Sequence, residues 1–466
     1  MISEGVIKDI AEIVGRENVL QGKAALKKYF PRIGDRPQLV MVRPRDEYDL
    51  SEVAVLASER KIPVYSVRRE QMDPALAEKE GILIDFSRMD AIKEIDRRNL
   101  MAHIYAGVTY EKLQEECLKK DCKLLLPVAA TSRSVLRSYL DRDILMGSGG
   151  YRAPNLSIFH AVLSDGRIWV SGSQQMTMEG IADFREDQGP QFSLLFGASE
   201  DIYGLPFYGI VYTYPLRETR KVQLFAFDDV APARQLIYKV SREEHCFEAF
   251  TANARYLSVL CSSTPDQAEA LREKLPPWLA VVTQEHHREL VEMWSDFVSK
   301  DAADLGGKLV EGELVEVIDR QLQKPWYLFD RDYYKGGLKH VFHYDFFART
   351  PELFSDVNAA AEKNGYPASE VGQVIVPVYF GGAAYCESDL YYNPDDEAEA
   401  ARAEKIYEDA YRVLLDKRTF VDKPTGKLAD MVYERVDEGF LNLLKLFKRI
   451  VDPAGILNPD QLLQGV

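Results

Sequence analysis

The sequence has few cysteines, and they are not paired at a spacing that binds metals or forms redox centres. The 466 residues include 5 Cys, and no CxxC pair occurs among them. An odd number of scattered cysteines does not form a disulfide framework, and thiolate zinc or iron–sulfur sites need closely spaced ligands. We therefore expect reduced thiols in a cytoplasmic protein and no bound metal.

Long apolar runs and basic clusters are also missing. No stretch of about 18 uncharged apolar residues occurs, so no membrane span is expected. The N-terminal residues MISEGVIKDI lack the basic and apolar regions of a secretory signal. The formal net charge is −16, which disfavours a polyanionic partner such as nucleic acid. We expect neither nucleic acid nor a membrane as a partner.

The residues that are abundant suit a large folded protein. The chain is 46% hydrophobic and contains 25 Tyr and 21 Phe. A chain of this length is usually too long to fold around a single hydrophobic core, so two domains are expected.

The first half alternates between predicted strands and helices. Gln38–Pro44 and Ile62–Val67 are strand-like and enclose an amphipathic helix with Asp46 as its N-cap, which predicts a βαβ unit. Thr109 is expected to cap a further helix. The segment FHAVLSDGRIWVSG predicts a β-hairpin with a type I′ turn at Asp165-Gly166.

The pattern changes near residue 220. Predicted helices lie between or after four strand-like segments, KVQLFAFDD, RYLSVLCSS, VIVPVYF and YCESDLYYN. This order predicts an α+β layer with an antiparallel sheet. The last segment predicts a helix that ends at Pro453 and Gly455, followed by an extended tail.

Several segments, taken in order, resemble flavoproteins of the vanillyl-alcohol oxidase / p-cresol methylhydroxylase family, which bind FAD. The resemblance runs from about Pro37 to the C-terminus, and VDPAGILNP is its most specific match. The other matching segments are RPRDEYDLSEVAVLASERKIPVY, IDFSRMDAIKEID with AGVTYEKL, VLSDGRIWVSG, and GPQFSLLFGASEDIYGLPFYGIVYTYPL.

The resemblance implies an α+β, two-domain FAD-binding PCMH-type fold with an antiparallel-sheet cap domain. It divides the chain into an N-terminal helical segment (1–36), an FAD-binding domain (37–216), a cap or substrate domain (217–412) and a C-terminal segment that returns to the FAD domain (413–466).

The resemblance also suggests a catalytic aspartate. YLDRD falls where the family's phenol-oxidising branch has an LDRG motif, whose aspartate lies near the flavin N5, so Asp141 takes that position. A carboxylate there accepts a proton as hydride leaves, or stabilises an electron-poor intermediate. The alternative is a solvated Asp-Arg turn. Arg137 and Ser138 replace the family's small Gly-Asn pair, a bulkier surface where the cofactor is expected.

A second catalytic candidate is Arg418. DKRTF falls where the family has YRTH, so Arg418 keeps the guanidinium and Lys417 replaces the tyrosine. Arginine suits a phenolate, a carboxylate or reduced flavin. The loss of the tyrosine makes an acidic substrate more plausible than a phenolic one. A plain salt bridge is the alternative role.

Flavin attachment is suggested by the segment GGLKHVFHYDF. Some family members link FAD covalently to a His or Tyr in the cap, and His340 is best aligned, with His343 and Tyr344 close by. A held, neutral imidazole can add to the flavin ring. A hydrogen-bonded structural histidine is the alternative.

The family's glycine-rich diphosphate loop is absent, because residues 66–80 contain no glycine. Arg68 and Arg69 are expected to replace the lost backbone donors, because charge-assisted contacts are stronger than neutral ones. Gly147, Gly149 and Gly150 are expected to contribute to the phosphate contact. The family's GIVT segment places Gly209, Ile210 and Val211 at the cofactor.

The expected function is therefore an FAD-dependent oxidase or dehydrogenase. It would oxidise an aromatic alcohol, alkylphenol or hydroxy acid by hydride transfer to flavin N5. The alternative is a degenerate, non-catalytic subunit of a flavoenzyme complex that no longer binds FAD. The expected partners are a small-molecule substrate, an electron-acceptor protein or catalytic partner subunit, and further copies of the chain in a dimer or higher oligomer.

Overall fold

The structure is a computed structural model of the 466-residue chain. It describes residues 2–30, 38–67, 72, 76, 79–128, 132–145, 155–176, 183–325, 331–459 and 461–462. Within these ranges, none of the helices combines the length and the apolar character needed to cross a membrane.

The N-terminal part begins with two helices and a four-stranded sheet of order β1-β2-β4-β3. Strands β2 and β3 both pair in parallel with β4, and α3 connects them as the predicted βαβ unit. The Asp46 carboxylate caps α3 by accepting hydrogen bonds from the amides of Tyr48 and Asp49. The elements are α1 (Glu4–Val14), β1 (Val19–Leu20), α2 (Lys23–Leu26), β2 (Leu39–Val42), α3 (Glu47–Arg60), β3 (Val64–Ser66) and β4 (Gly81–Ile84).

An antiparallel five-stranded sheet of order β5-β6-β10-β8-β9 follows, beside a two-stranded pair, β11-β7. Thr109 caps α4 through a hydrogen bond from the Lys112 amide to its hydroxyl, as predicted. The elements are β5 (Ile92–Asp96), β6 (Met101–Tyr105), α4 (Tyr110–Leu118), β7 (Cys122–Lys123), α5 (Val135–Leu140), β8 (Leu156–Val162), β9 (Ile168–Val170), β10 (Leu205–Tyr212) and β11 (Tyr214–Pro215).

The third layer is an antiparallel seven-stranded sheet, here called the cap sheet, of order β15-β12-β14-β13-β17-β18-β16. The strands are β12 (Thr219–Phe227), β13 (Glu248–Asn253), β14 (Trp278–His286), β15 (Lys308–Val310), β16 (Gly337–Asp345), β17 (Gly372–Val378) and β18 (Ala383–Tyr392). The helices are α6 (Val230–Arg242), α7 (Ala254–Leu260), α8 (Pro265–Arg272), α9 (Arg288–Asp304), α10 (Glu313–Gln323), α11 (Thr350–Lys363) and α12 (Glu397–Asp416).

The two faces of the cap sheet have different neighbours. Helices α6, α9, α11 and α12 cover one face with apolar side chains such as Phe354 and Leu414. The opposite face, here called the inner face, shares a hydrophobic core with the N-terminal sheets through Leu224, Val281 and Val374. Charged contacts join the same parts, since Lys123 of β7 bonds to Glu285 of β14. The inner face is therefore where the two halves of the molecule meet.

The C-terminal segment returns to the N-terminal sheets through α13 (Lys427–Tyr433), α14 (Glu438–Val451) and the tail. The tail runs beside β3: the Val64 amide donates to the Ile456 carbonyl, and the Asn458 amide donates to the Val64 carbonyl, each at 2.8 Å. The buried Lys448 ammonium ties α14 to the tail through the Leu457 carbonyl, at 2.8 Å.

Two local predictions were wrong. The turn between β8 and β9 is not type I′, because Gly166 has a positive φ of 82° while Asp165 does not. The Gly166 amide instead donates to Leu163, which fits a type I turn followed by a left-handed glycine. RYLSVLCSS was predicted as a strand, but most of it forms α7, whose residues from Arg255 to Leu260 are all buried. A helix buried on every side has no polar stripe to reveal its period.

Candidate functional site

The predicted catalytic aspartate lies where α5 ends against the C-terminal segment. Asp141 is the C-cap of α5, and its side chain is buried. The Lys423 ammonium donates to the Asp141 carbonyl at 3.0 Å and lies 3.4 Å from a carboxylate oxygen of Asp143. The solvated-turn alternative is therefore wrong for Asp141, since this turn is packed beneath a lysine from a segment about 280 residues away.

Asp143 is held from its other side by a short hydrogen-bonded chain. The Tyr110 hydroxyl donates to Ser138 at 2.8 Å, and the Ser138 hydroxyl donates to the second Asp143 oxygen at 2.7 Å. This chain fixes the Asp143 carboxylate and, through Lys423, the end of α5. Ser138, where the resemblance has a small residue, thus has a structural role.

Asp422, next to Lys423, faces the cap sheet. One of its carboxylate oxygens accepts a hydrogen bond from the Tyr344 hydroxyl at 3.1 Å. The other oxygen is buried and has no hydrogen-bond partner among the described residues. Burial raises the pKa of Asp422, although Lys423 and Arg142 oppose the shift. A carboxylate with a raised pKa and an open acceptor oxygen is suited to take up a proton.

Aromatic rings line the adjoining part of the inner face. Register places Tyr344 opposite Tyr385 and Phe342 opposite Glu387, so these side chains share one face. The rings of Tyr344 and Tyr385 meet edge to face at 5.4 Å, and Tyr344 lies 5.8 Å from Phe420. Phe420 is 59% exposed, so this aromatic wall is open at that end.

Farther along the same face, Arg331 binds two carboxylates. Its guanidinium donates to Glu387 at 2.9 Å and also to Asp389, and it lies over the Tyr256 ring. Tyr385 donates to the other Glu387 oxygen. The Arg331, Glu387 and Asp389 side chains are each less than 10% exposed.

Charges in this group shift one another's pKa values. Burial raises the pKa of Asp389, although Arg331 opposes it. Burial would raise the pKa of Glu387 as well. Arg331 and His340 outweigh this effect and hold the pKa of Glu387 well below its usual range. Desolvation disfavours a charged His340, yet Asp389, 2.8 Å from its Nδ1, raises the pKa to about 9.

The ligand atoms of His340, Glu387 and Asp389 lie within 4.8 Å of one another. That spacing would admit a metal ion. Arg331 already contacts both carboxylates, and a guanidinium and a metal cation in the same place would repel each other. The group is better described as a buried ion-pair network.

His340 and His343 point to opposite faces, as expected for residues three apart on a strand. His340 faces Asp389, and its pKa of about 9 means that it is largely protonated at neutral pH. Addition to a flavin ring needs a neutral imidazole instead. His343 is fully buried on the other face, and burial lowers its pKa to about 3. Tyr344 alone of the three reaches Asp422.

Arg418 lies just beyond the C-terminal end of α12, exposed and with a positive φ of 61°. Lys417 bonds to Glu352 and Asp356 on α11, on the outer side of the cap sheet. Lys417 stands where the family has a tyrosine, but this lysine is paired with carboxylates of α11. Its presence therefore says little about the substrate. The anchoring role of Arg418 stays a prediction.

The remaining candidates divide into two groups. Gly209, Ile210 and Val211 lie within β10, where a Cβ on Gly209 would approach Leu136 to 2.6 Å. Packing against α5 thus accounts for this glycine without a cofactor, and contact of the segment with FAD stays a prediction. The other candidates, Arg68, Arg69, Gly147, Gly149 and Gly150, lie outside the described residues.

Sequence reasoning missed Asp422, Lys423, Arg331, Glu387 and Asp389. Asp422 and Lys423 lie four and five residues beyond Arg418, so the matched motif pointed to the right segment but not to these side chains. The alternation of Tyr385, Glu387, Asp389 and Tyr391 along YCESDLYY was a usable signal, because it places four polar or phenolic groups on one face of a strand.

Comparison with known proteins agrees with this architecture. Residues 37–171 match the family described as FAD binding domain. The glycolate oxidase subunit GlcD of Bacillus subtilis (strain 168) is 24% identical over 250 residues, which are 51% of this chain and 50% of that protein. The match therefore spans about half the length of this curated relative.

Two solved structures superimpose over nearly the whole chain. p-Cresol methylhydroxylase with substrate bound gives a TM-score of 0.83 at 15% identity, covering 99% of this chain and 97% of that one. 4-Ethylphenol oxidase from Gulosibacter chungangensis gives 0.82 at 15% identity, covering 98% and 96%. The likeness shows a two-domain PCMH-type fold. The fold of the chain is therefore of the PCMH type, and residues 37–171, within its N-terminal part, match a family of FAD-binding domains.

Some of the described residues bear on whether FAD fits this chain. Arg137, expected to crowd the cofactor, is buried: it pairs with Asp201, donates to the Pro206 carbonyl at 2.6 Å and stacks on Phe86. Its bulk is thus absorbed into the protein interior. The open, buried oxygen of Asp422 is an acceptor that a donor group of a bound molecule would satisfy. We take these residues as compatible with FAD.

Proposed function

We propose that the chain binds FAD and oxidises an aromatic alcohol or alkylphenol. The observation that carries the proposal is the contact of the buried Asp422 carboxylate with Tyr344, whose ring forms an aromatic wall with Tyr385 and Phe420. Aromatic walls hold a planar substrate by offset or edge-to-face contacts. A site with few convergent polar groups in an apolar lining is the usual form of a small-molecule site.

FAD, when bound, supplies the acceptor for the hydride that leaves the substrate carbon. The chain's own residues handle the proton and the orientation. The open oxygen of Asp422 is placed to accept the proton of the substrate hydroxyl, and the Tyr344 hydroxyl bonded to its other oxygen holds the carboxylate in position. Asp141, buried nearby under Lys423, is assigned to stabilise the positive charge that develops as hydride departs.

The ion-pair network of Arg331, Glu387 and Asp389 positions the far end of the wall. Glu387 accepts from the Tyr385 hydroxyl, so the ring of Tyr385 is held at its edge-to-face angle to Tyr344. Arg331 is bound by two carboxylates. It is therefore a poor anchor for a carboxylate substrate, and this favours an uncharged aromatic alcohol over a hydroxy acid.

We further propose that FAD is held without a covalent link. The charge of His340 is supported by Asp389 at 2.8 Å, and a protonated imidazole has no lone pair on the nitrogen that would form the bond.

A second candidate function is a partner subunit that no longer binds FAD. The absence of glycine from residues 66–80 favours it, because a backbone that closely approaches a diphosphate needs glycine. The two candidate functions are distinguished by FAD binding: the enzyme retains FAD, and the partner subunit does not.

The test is steady-state oxidation of 4-hydroxybenzyl alcohol, 4-ethylphenol and glycolate by FAD-loaded protein with a dye acceptor. We expect turnover of the aromatic substrates, and Asp422→Asn to lower kcat/KM by about 100-fold or more, as for the loss of a general base. The control is Asp416→Asn, an exposed aspartate paired with Arg435, which should leave activity unchanged. Preferred turnover of glycolate, or full activity of Asp422→Asn, would contradict the proposal.

A further inference from the structure

The segment that carries Asp422 is attached to both halves of the molecule. On one side it pairs with β16, at the edge of the cap sheet: the Tyr344 amide donates to the Phe420 carbonyl at 2.8 Å, and the Phe420 amide donates back at 3.1 Å. On the other side the Lys423 ammonium donates to the Asp141 carbonyl at 3.0 Å, at the end of α5. Asp422 lies between the two attachments, so both of them fix its position.

Lys423 is a buried cation next to this carboxylate. Its side chain is 11% exposed, and its ammonium lies 3.4 Å from an oxygen of Asp143. Asp143 is in turn held by the Ser138 hydroxyl, which donates to its other oxygen at 2.7 Å. A buried charge acts on its neighbours more strongly than an exposed one, because water and salt screen it less. Lys423 therefore acts on Asp422 from a fixed position and with little screening.

The groups that face Asp422 come from three elements. Lys423 lies on its own segment, Arg142 lies in the turn after α5, and the Tyr344 hydroxyl of β16 donates to it at 3.1 Å. Gly197 leaves room for Arg142, since a Cβ there would lie 3.1 Å from two guanidinium nitrogens. Burial raises the pKa of Asp422, whereas Lys423 and, to a smaller extent, Arg142 lower it. A base must be ionised to accept a proton, so these cations widen the pH range in which Asp422 can act.

We propose that Lys423 is a positioning residue that fixes Asp422 against the end of α5 and keeps it ionised at the pH at which the enzyme works. This inference rests on the proposed function, in which Asp422 takes the proton of the substrate hydroxyl. A lysine that only packs the segment would change the rate by the same factor at every pH. The proposed role instead changes the pH at which activity is lost.

The test is the pH dependence of kcat/KM for 4-methoxybenzyl alcohol, which has no titrating group of its own. In Lys423→Met the acid limb should move up by about one pH unit, as for the loss of one nearby charge at an effective dielectric constant of about 20. Lys423→Arg should keep the limb near its wild-type position. Asp143→Asn removes the carboxylate beside Lys423 and keeps an acceptor for Ser138, so it should move the limb down.

The matched control is Lys427→Met, four residues farther along the chain. Its side chain is 66% exposed and pairs with Glu404 and Glu408 on α12, away from Asp422. This variant should leave the acid limb unchanged. Circular dichroism confirms that each variant is folded.

Infrared spectroscopy follows the protonation of Asp422 without substrate or turnover. Each protein is compared with its Asp422→Asn counterpart, and the carboxyl band lost in that counterpart should titrate about one pH unit higher in Lys423→Met than in wild type. An acid limb or a carboxyl midpoint that stays in place in Lys423→Met, or that moves equally in Lys427→Met, would overturn the proposal. Wild type that oxidises no aromatic alcohol would overturn the proposed function, whereas an unshifted carboxyl midpoint in an active enzyme would overturn this inference alone.

Discussion

Removing the cation of the buried ion-pair network should be costly and dependent on pH. In the variant Arg331→Met, the aliphatic stem is kept while Glu387 and Asp389 lose the guanidinium that binds both. Breaking a buried pair by deleting one partner costs roughly 3–5 kcal/mol, because the remaining charge stays desolvated. The same substitution at Arg288, whose side chain is 73% exposed and paired with Glu292, should cost less than about 1 kcal/mol.

The pH dependence has a definite sign. Without Arg331, both carboxylates should have folded-state pKa values above their unfolded values, since burial already raises the pKa of Asp389. The folded variant then binds more protons than the unfolded chain. Its deficit relative to wild type should be smallest near pH ~5 and grow by up to about 1.4 kcal/mol per carboxylate per pH unit toward neutrality.

Urea unfolding followed by tryptophan fluorescence measures this difference, because Trp278 and Trp294 lie in the cap sheet and in the helix behind it. A cost no larger than that of Arg288→Met would refute the reasoning. So would a deficit that grows as the pH falls.

Two further predictions concern the histidines of β16. His343 is buried with its pKa lowered to about 3, so the folded state loses stability relative to the unfolded chain as pH falls below about 6.5, at about 1.4 kcal/mol per pH unit. His343→Leu should remove this loss in urea titrations between pH 6.5 and pH 5, and an unchanged pH slope would contradict the assignment. For His340, acid precipitation of FAD-loaded protein should leave all flavin in the supernatant. Flavin that stays with the pellet in wild type but not in His340→Gln would show a covalent link.

Local signals in the sequence predicted local structure well. Asp46 and Thr109 were identified as helix caps because an N-cap is recognised within a few residues of chain, and both accept the expected hydrogen bonds. The α+β fold with an antiparallel cap sheet followed from the order of the segments and from the family resemblance, and the structural comparisons confirm it. α7 was missed because its burial on all sides hides its periodicity.

The site could be predicted only in part, because it is made by long-range contacts. Lys423 meets Asp141 across about 280 residues, and Tyr344 meets Tyr385 only through the register of β16 and β18. Nothing near Asp422 in the sequence shows that burial raises its pKa. The sequence holds 74 acidic residues, and only the fold selects the few that face one another across the inner face.

The most direct test of the central claim is whether the chain retains FAD that an aromatic alcohol can reduce. Purified full-length protein is mixed with FAD, passed through a desalting column, and treated with 4-hydroxybenzyl alcohol in the absence of oxygen. We expect the flavin absorbance to elute with the protein and to be bleached by the alcohol in wild type, and far more slowly in Asp422→Asn. Protein that elutes without flavin would contradict FAD binding by this chain and favour the partner-subunit function.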